Sequence, residues 1–500
     1  MNSKILTLLA GLALTAHAAL PFPNYAEADL VLGQPDFSYA LIPDPPTASS
    51  LNKPESVVVD PVTQKVFVAD FDNFRILRYA TAAALANGAA AEFVFGQSSF
   101  TAKIDSGSSG IKPKGLFIDT LGRLWVADSY HHRVLMFNDA GTRSGQIADK
   151  IFGQPNATTI TPGTTAATMR FPNDVCVDSG ADRLWVADSI NNRVLRFDAV
   201  SSKASGASAD GVLGQTNFTI GTTTIGGSSK LQEPSGVTVS SGGALYVACF
   251  VSHRVLRFNN AAALANGAEA SAVLGQPDYA TVTEGLSDIK MYYPTGAWIT
   301  ADDSLWVGDR SNHRLLRFSN ASTKPSGAAA DGVLGQQDFT SSSFDITRRD
   351  FISPQVKPFV DPQGRLWVTD RGTSRVLRFT PPASVTPPIV TPPIVIPPIV
   401  IPPIVTPPIV DKTAPLLVLS SKIPKLVTKA QLLLKGSASD ASGIKSVQYR
   451  LGKAALKNAK GTVAWSFKVS LKKGTNTLTV IATDTAGNIS RSKPIKITRK

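Results

Sequence analysis

The chain has 500 residues, of which 43% are hydrophobic and 17% are charged, and it contains 38 glycines and 34 prolines. The length excludes a single compact core, and the composition is that of a turn-rich globular β protein. The net charge of +13 is confined to residues 411–500, which hold 15 lysines and 3 arginines against 3 aspartates, so the rest of the chain is close to neutral.

The N-terminus has the pattern of a secretory signal peptide over residues 1–18. Lys4 precedes an apolar run at residues 5–16, and Ala16-His17-Ala18 matches a small-x-small cleavage site. The run is too short to span a bilayer, so we predict a mature chain that starts at Ala19 and is secreted, periplasmic or at the cell surface. An uncleaved membrane anchor is the alternative. No later segment has the pattern of a transmembrane helix.

Two sequence patterns recur six times at a period of about 60 residues, which indicates a repeat architecture. The first is a Gly-Gln pair after a short apolar run, with its glycine at residues 33, 96, 153, 214, 275 and 335. The second is a hairpin of the type LWVADSINNRVLRF, which starts at residues 66, 124, 184, 245, 305 and 366. Period-two alternation with turn residues between the runs predicts four strands per repeat, and hence an all-β, six-bladed propeller over residues 19–380.

The order of the strands within the repeat predicts how the ring closes. We name them a, which follows a proline; b and c, which form the hairpin; and d, which ends at the Gly-Gln pair. The chain begins with an isolated d strand at residues 30–34 and ends with a, b and c at residues 355–379. Six complete blades require residues 30–34 to join the last sheet, and this pairing leaves no open edge at the seam.

The repeat resembles the NHL family of six-bladed propellers over about residues 29–380. The family hallmark is an aspartate that ends strand b, followed by Asn-His-Arg at the start of strand c. It stands here as Asp309-Arg310-Ser311-Asn312-His313-Arg314. The fourth blade departs from it with Cys249 in place of the aspartate, and the sixth blade lacks the asparagine. The resemblance is specific for the fold and weakly informative about activity.

The propeller is followed by a linker and a second domain. Residues 381–410 contain five tandem PPIV units, which favour polyproline II and form a semi-rigid spacer. Residues 411–500 show alternating strands at 416–419, 431–435, 444–451, 464–469, 477–483 and 495–498, which predict an Ig-like β-sandwich. The segment Ala482-Thr483-Asp484-Thr485-Ala486-Gly487-Asn488 and Trp465 resemble bacterial Ig-like domains that are appended to secreted proteins.

The hairpin contributes an aspartate and an arginine to nearly every blade. Residues that recur in every blade favour an architectural role, because a catalytic site needs only one asymmetric set. We expect the aspartate to cap the b–c turn and the arginine to pair with a carboxylate or carbonyl; an anion-binding face is the alternative. These repeat residues are Asp70, Arg75, Asp128, Arg133, Asp188, Arg193, Arg254, Asp309, Arg314, Asp370 and Arg375.

Metal sites have weak support in the sequence. His132, His253 and His313 share one repeat position, out along the blade, so we do not expect them to converge on a zinc ion, although related propeller lyases use histidines and a metal in the central channel. Four strand-a aspartates could bind Ca²⁺ around the channel, but serine and threonine interrupt this ring, so we expect no cofactor, with calcium as the alternative. Cys176 and Cys249 occupy different repeat positions, and we expect buried, free thiols.

The long d–a loops are the most informative functional feature of the sequence. Variable loops on a rigid scaffold are the usual place for binding, and all six are expected on one face. Several open with a polar-aromatic pair that we interpret as ligand-binding; the alternative is that the aromatic rings pack beneath the loops as small satellite cores. The candidate residues are Asp36, Phe37, Asn217, Phe218, Asp278, Tyr279, Asp338 and Phe339.

These observations favour an exported, non-enzymatic binding or scaffold protein, expected to be a monomer, whose loop face binds a protein or a glycan. The basic C-terminal domain would contact an anionic polymer of the cell envelope. Lysine dominates over arginine and no aromatic residues are interleaved with it, which argues against specific nucleic-acid recognition. The alternative is a propeller enzyme, a metal-dependent lyase or a lactonase-like hydrolase, that acts in the central channel.

Overall fold

The computed structural model describes residues 22–105, 110–353, 357–382, 414–419, 426–440, 443–492 and 494–500. The chain divides into two compact units, Met1–Pro388 and Ile389–Lys500. The predicted signal peptide and nearly all of the predicted linker lie outside the described residues. Within them, no helix is long and apolar enough to cross a bilayer.

Each repeat of the first unit folds into the predicted hairpin and its neighbouring strands. The a strands are β2 (Pro54–Val59), β6 (Pro113–Ile118), β10 (Pro172–Asp178), β14 (Pro234–Val239), β18 (Pro294–Ile299) and β22 (Phe359–Val360). The b strands are β3 (Lys65–Asp70), β7 (Leu124–Asp128), β11 (Arg183–Asp188), β15 (Leu245–Cys249), β19 (Leu305–Asp309) and β23 (Leu366–Asp370). Each b strand buries the aromatic residue at its centre, with at most 4% of that residue exposed.

The remaining two strands complete each blade. The c strands are β4 (Arg75–Thr81), β8 (Arg133–Phe137), β12 (Arg193–Phe197), β16 (Arg254–Phe258), β20 (Arg314–Phe318) and β24 (Arg375–Phe379). The d strands are β1 (Leu30–Leu32), β5 (Phe93–Phe95), β9 (Lys150–Phe152), β13 (Gly211–Leu213), β17 (Ala272–Leu274) and β21 (Gly332–Leu334). The described residues thus form six four-stranded antiparallel sheets, each in the order a-b-c-d.

Short 3₁₀ turns separate strands b and c in five blades. They span Phe71–Asn73, Ser129–His131, Ser189–Asn191, Arg310–Asn312 and Arg371–Thr373. Each ends at a residue in the left-handed region, with φ between 51° and 57°, whose side chain points to the next blade. A further 3₁₀ turn, Ala261–Ala263, follows strand c of the fourth blade.

The predicted ring closure is confirmed. Strand β1 pairs antiparallel with β24, and Val31 lies opposite Leu377. A second contact strengthens the seam, because Oδ1 of Asn24 accepts a hydrogen bond from the backbone N–H of Val333 in β21 at 3.1 Å. The N-terminal segment therefore completes the sixth blade and also ties it to the fifth.

The same hydrogen bond, from a d-strand N–H to an asparagine side chain, recurs between other blades. There the asparagine belongs to the loop between strands c and d of the next blade. Asn87 accepts the N–H of Val31 at 3.1 Å, and Asn266 accepts the N–H of Val212 at 3.0 Å. The glycine that follows, such as Gly88 with φ of 66°, donates its N–H to the same d strand. A side chain at this glycine would approach the neighbouring backbone to 3.2 Å, so both its conformation and its small size are used.

A buried ion pair joins two opposite blades across the central channel. Lys357 of the sixth blade reaches across to Asp174 of the third blade, with Nζ at 3.5 Å from Oδ2, and both side chains are at most 1% exposed. Nζ also donates to the carbonyl of Val175 at 3.0 Å. The rings of Phe117 and Trp298 lie 5.2 and 5.3 Å from the same ammonium. This cross-channel pair forms the floor of the entrance.

Cys176 and Cys249 are buried and free, as expected, and burial raises the pKa of the Cys249 thiol to about 11.

The second unit is a β-sandwich, as predicted. One sheet consists of β25 (Leu416–Leu419), β27 (Gln431–Ser439) and β30 (Ala464–Ser470). The other consists of β26 (Leu426–Val427), β28 (Ile444–Leu451), β29 (Lys457–Asn458), β31 (Gly474–Asp484), β32 (Ile489–Arg491) and β33 (Ile495–Arg499). Trp465, Leu478 and Ile497 pack between the sheets. The three strands that the sequence did not predict, β26, β29 and β32, have only two or three residues each.

Candidate functional site

The three repeated histidines lie in separate places and have the same backbone role. Nδ1 of His132 accepts the N–H of Phe171, that of His253 accepts the N–H of Tyr293, and that of His313 accepts the N–H of Ser353, at 3.0 to 3.1 Å. Asn192 and Ser374 do the same in the third and sixth blades. Each N–H belongs to a residue with positive φ just before strand a, so this position fixes a strained turn in the next blade.

This arrangement predicts a pH-dependent stability. Burial lowers the pKa of His132, His253 and His313 below the ordinary histidine value of 6.5. As the pH falls below about 6.5, the unfolded chain therefore binds more protons than the folded one. The free energy of unfolding decreases with falling pH until the pH is below the lowered pKa values of the folded state. The triple variant His132→Asn, His253→Asn, His313→Asn keeps the acceptor, as Asn192 does, without titrating. We expect wild-type stability to fall relative to this variant between pH 7.5 and 5; parallel unfolding curves would contradict the assignment.

The hairpin aspartates and arginines form a buried network within the blades. Nε of Arg193 donates to Oδ2 of Asp188 at 2.7 Å, and neither side chain is exposed. The terminal nitrogens of Arg193 donate to the carbonyl oxygens of Thr165, Thr168 and Phe218, which belong to the two flanking d–a loops. Oδ1 of Asp188 accepts the N–H of Arg170 at 2.6 Å.

The same pair occurs in the other blades that carry both residues. The pairs are Asp70 with Arg75, Asp128 with Arg133, Asp309 with Arg314 and Asp370 with Arg375, at 2.7 to 3.0 Å. In the fourth blade Cys249 replaces the aspartate, so Nε of the buried Arg254 has no carboxylate acceptor among the described residues. These contacts tie adjacent loops together and support the architectural interpretation of the repeat residues.

The structure does not bring the polar-aromatic pairs of the d–a loops together. Each polar residue, Asp36, Asn217, Asp278 or Asp338, accepts hydrogen bonds from residues that lie two or three positions later in its own loop. Each aromatic residue, Phe37, Phe218, Tyr279 or Phe339, gives its carbonyl to a hairpin arginine. Their rings pack against the blade cores. These contacts favour satellite cores over a shared ligand site.

The strand-a aspartates lie in turns. Asp119 and Asp361 each accept two backbone N–H groups, an arginine Nε and a tryptophan Nε1. Among the residues that the structure describes, no group of three or more histidine, cysteine or carboxylate side chains is placed to hold a metal ion.

The unrepeated polar residues meet at the entrance of the central channel. The second residue of strand a differs in each blade: Glu55, Lys114, Asn173, Ser235 and Thr295, while the sixth position, Gln355, lies outside the described residues. With Glu233, Phe250 and Arg310 they line a cavity of about 240 Å³. We call this cavity the channel mouth.

The channel mouth holds a buried carboxylate among cations. Oε1 of Glu55 accepts a hydrogen bond from Nε of Arg371 at 2.9 Å, whereas the buried Oε2 has no hydrogen-bond partner among the described residues. Only 2% of the Glu55 side chain is exposed, and burial raises its pKa above the ordinary value although Lys114, Arg371 and Arg310 act to lower it. Burial also lowers the pKa of Lys114, whose Nζ donates to Oδ1 of Asn173 at 3.0 Å.

Aromatic residues position the cations of the channel mouth. The rings of Phe250, Tyr293 and Tyr292 form a stack, with centroids 4.5 and 4.7 Å apart. The guanidinium of Arg310 lies 5.7 Å from the Phe250 ring, and its Nε donates to Oγ of Ser353 at 3.0 Å. On another side, Lys114 lies 6.0 Å from the ring of Phe71.

The comparisons with known proteins agree with the two-part organisation. A family model described as NHL repeat matches residues 169–197 and 231–258, and one described as bacterial Ig-like domain matches residues 425–498. The chain carries NHL repeats and a bacterial Ig-like domain. No curated relative matches the chain.

Several solved structures match this chain at low sequence identity. One is virginiamycin B lyase from Staphylococcus aureus, at 12% identity over 66% of this chain and 82% of that one, with a TM-score of 0.37. A streptogramin B lyase is 11% identical over 68% of this chain and 95% of that one, with a TM-score of 0.39. A putative gluconolactonase is 13% identical over 66% of this chain and 88% of that one, with a TM-score of 0.38. These identities are too low to transfer a lyase or lactonase activity to this chain.

Sequence reasoning missed the channel mouth of the NHL propeller. The residues Glu55, Lys114, Asn173, Ser235 and Thr295 lie about 60 positions apart and share no residue type. A usable signal exists in their register, because each follows the proline that starts strand a. A polar residue at the inner end of an otherwise apolar strand marks a position that faces the axis of the ring.

Proposed function

We propose that the NHL propeller is an exported, non-enzymatic binding module that holds a protein or glycan ligand at the channel mouth. The observation that carries the proposal is Arg310, which lines the cavity, lies 5.7 Å from the Phe250 ring and has two terminal nitrogens without an acceptor among the described residues. Such donors can bind a carboxylate or carbonyl oxygen of a ligand.

The asymmetry of the channel mouth supports this proposal. The hairpin pairs recur in nearly every blade and hold the loops, whereas the residues at the mouth differ in every described blade. A site that recognises one ligand needs such an unrepeated set of convergent polar groups. The binding site therefore moves from the loop pairs that the sequence suggested to the axis of the ring.

The test is a glycan array and an envelope-protein pull-down with the full chain and two variants. We expect Arg310→Gln to weaken capture of the array or pull-down ligand at least tenfold. Lys103→Gln, which removes an exposed cation from a d–a loop, serves as the matched control and should leave capture unchanged. Equal capture by both variants would refute the channel mouth as the site. Chemical conversion of the captured ligand, seen by mass spectrometry, would favour the propeller-enzyme alternative.

For the bacterial Ig-like domain we propose association with an anionic polymer of the cell envelope. The domain contains 15 lysines and 3 arginines but only three carboxylate residues, Asp411, Asp440 and Asp484, of which Asp484 is fully buried. On the outer side of β31, every second residue is a threonine. Thr477 lies opposite Lys496 on one neighbouring strand, and Thr479 lies opposite Arg450 on the other. A face that carries such basic residues suits a polyanion.

Deletion of residues 411–500 is expected to release most of the cell-associated protein into the medium while the propeller stays folded. The attraction is electrostatic, so added salt should also release the full chain, since exposed charges are screened within about 10 Å at 0.1 M ionic strength. Fractionation of cells and medium, with circular dichroism of the released protein, measures both effects. Unchanged cell association after the deletion would rule out the anchoring role.

A further inference from the structure

One position of the d–a loops holds an aromatic residue in five blades and an alanine in the second blade. It lies three residues after the glutamine of each Gly-Gln pair. In every blade the backbone carbonyl at this position accepts a hydrogen bond from a terminal nitrogen of the hairpin arginine, at 2.5 to 2.7 Å, so the six residues are structurally equivalent. They are Phe37, Phe100, Ala157, Phe218, Tyr279 and Phe339.

The ring at this position completes the core beside strands c and d, and the second blade has a cavity there. In the third blade Phe218 packs against the cluster that contains Leu195, Phe197 and Val212. The equivalent residues of the second blade are Leu135, Phe137 and Ile151. These three residues and Ala157 line a cavity of about 630 Å³, which we call the second-blade cavity.

The second-blade cavity has room for more than a ring. An apolar cavity of about 150 Å³ holds benzene, so the larger space accommodates a ring with a substituent. Ile104 and Ile147 also line the cavity, and they are 62% and 82% exposed. The other blades carry alanine, serine or glutamate at the position of Ile147, six residues before the glycine of the Gly-Gln pair. Apolar surface therefore extends from the ring position to the solvent.

The polar side chains of the second-blade cavity favour a neutral ligand. The guanidinium of Arg133 donates to Asp128 and to two backbone carbonyls. The amides of Gln97 and Gln146 each accept one backbone N–H and donate to two carbonyls. The fourth polar residue, Ser98, is exposed. A charged ligand would lose hydration here without gaining an ion pair, which costs free energy.

One backbone carbonyl of the second-blade cavity can accept a hydroxyl from a bound ring. In the fourth blade the Tyr279 hydroxyl donates to the carbonyl of Ala270 at 3.0 Å. The equivalent residue is Ala148, which lines the cavity and whose carbonyl accepts no hydrogen bond from the described residues. The N–H in the same peptide plane binds strand c in both blades, that of Asp149 at 2.8 Å and that of Ser271 at 2.7 Å. The two carbonyls therefore point the same way.

We propose that the second-blade cavity binds a small neutral phenol with an apolar substituent. The ring lies beside Ala157, where the other blades place their own rings. Its hydroxyl donates to the carbonyl of Ala148, and its substituent contacts Ile104 and Ile147. This site is separate from the channel mouth, so the proposal goes beyond the proposed function and does not depend on it.

The first test is isothermal titration calorimetry of the full chain with three probes: para-ethylphenol, ethylbenzene and para-ethylbenzoate. We expect para-ethylphenol to bind about threefold to tenfold more tightly than ethylbenzene, which is the range of one net hydrogen bond. The charged para-ethylbenzoate should bind at least tenfold more weakly than para-ethylphenol. Equal affinity for para-ethylphenol and ethylbenzene would reject the hydrogen bond to Ala148. Equal or tighter binding of the benzoate would reject a neutral ligand.

The second test supplies the ring from the chain itself. Ala157→Phe should abolish binding of para-ethylphenol and raise the thermal unfolding midpoint, because the new ring fills the cavity as Phe218 fills the third blade. Ala90→Phe, which adds the same ring at an exposed position of the first blade, is the matched control and should change neither quantity.

The outcomes for the variants separate the two sites. A lower unfolding midpoint for Ala157→Phe would show that the wild-type chain already fills the ring position, and wild-type binding by this variant would place the phenol elsewhere. Either result would overturn the proposal. Loss of para-ethylphenol binding in Arg310→Gln, with Ala157→Phe still binding, would assign the phenol to the channel mouth.

Discussion

Replacement of Asp188 by alanine is expected to lower the free energy of unfolding of the propeller by about 3–5 kcal/mol, because it leaves a buried cation without its partner. Arg193 and Asp188 are fully buried and joined at 2.7 Å, and Asp188 also accepts hydrogen bonds from Asn191 and from the backbone of Arg170. Urea unfolding followed by tryptophan fluorescence measures the change.

Two further variants separate this effect from a general sensitivity of the loops. Asp278→Ala removes an exposed aspartate that bonds only within its own loop, and we expect a much smaller loss than for Asp188→Ala. Cys249→Asp should instead stabilise the protein by roughly 1–3 kcal/mol, because Nε of the buried Arg254 gains the carboxylate that is present in the other blades. A loss for Asp188→Ala no larger than that for Asp278→Ala would mean that the pair does not hold the blade.

Substitution of Leu32 by aspartate is expected to destabilise the propeller by more than about 4 kcal/mol, since it buries an unpaired charge at the seam of the ring. Leu32 is fully buried, lies opposite Val376 in strand β24 and packs into the core of the first blade. The variant should therefore lose both the apolar contact and the pairing that closes the ring. Limited proteolysis should then cut near the N-terminus, and the urea midpoint should fall.

Leu41→Asp provides the matched control for the seam. This leucine follows the same strand but is 59% exposed, so its replacement should leave both the urea midpoint and the proteolytic pattern within error. If Leu32→Asp behaves like Leu41→Asp, strand β1 contributes little to stability and the ring is held by the contacts between the a strands alone.

The two seam contacts differ in how visible they are in the sequence. The pairing of β1 with β24 follows from counting strands, because five complete repeats and two fragments must add to six. The hydrogen bond from the backbone N–H of Val333 to Asn24 cannot be deduced from the number of strands. Only the folded ring shows that Asn24 takes the place of Asn87 and Asn266, which come from c–d loops within the repeat.

The aromatic residues of the d–a loops show why residue type alone misled the search for a site. Phe37 and Tyr279 look available in sequence, in loops that vary between blades. In the structure the backbone carbonyl of each residue accepts a hydrogen bond from a hairpin arginine. This contact fixes the backbone, and the aromatic ring packs against the blade. The contact depends on an arginine 25 residues away in one case and 338 in the other, which no local pattern reveals.

The sequence by itself determined the six blades, their strand order, the closure by a d strand predicted at residues 30–34 and observed at 30–32, the burial of both thiols and the sandwich at the C-terminus. The blades and their closure depend on local alternation and turn residues that repeat about every 60 positions, so each copy reinforces the others, whereas the sandwich follows from the alternation within its own strands. The tertiary structure alone decided the channel mouth. Glu55, Lys114 and Arg310 come from three blades, and their side chains meet only because ring closure brings the inner ends of distant strands to one axis.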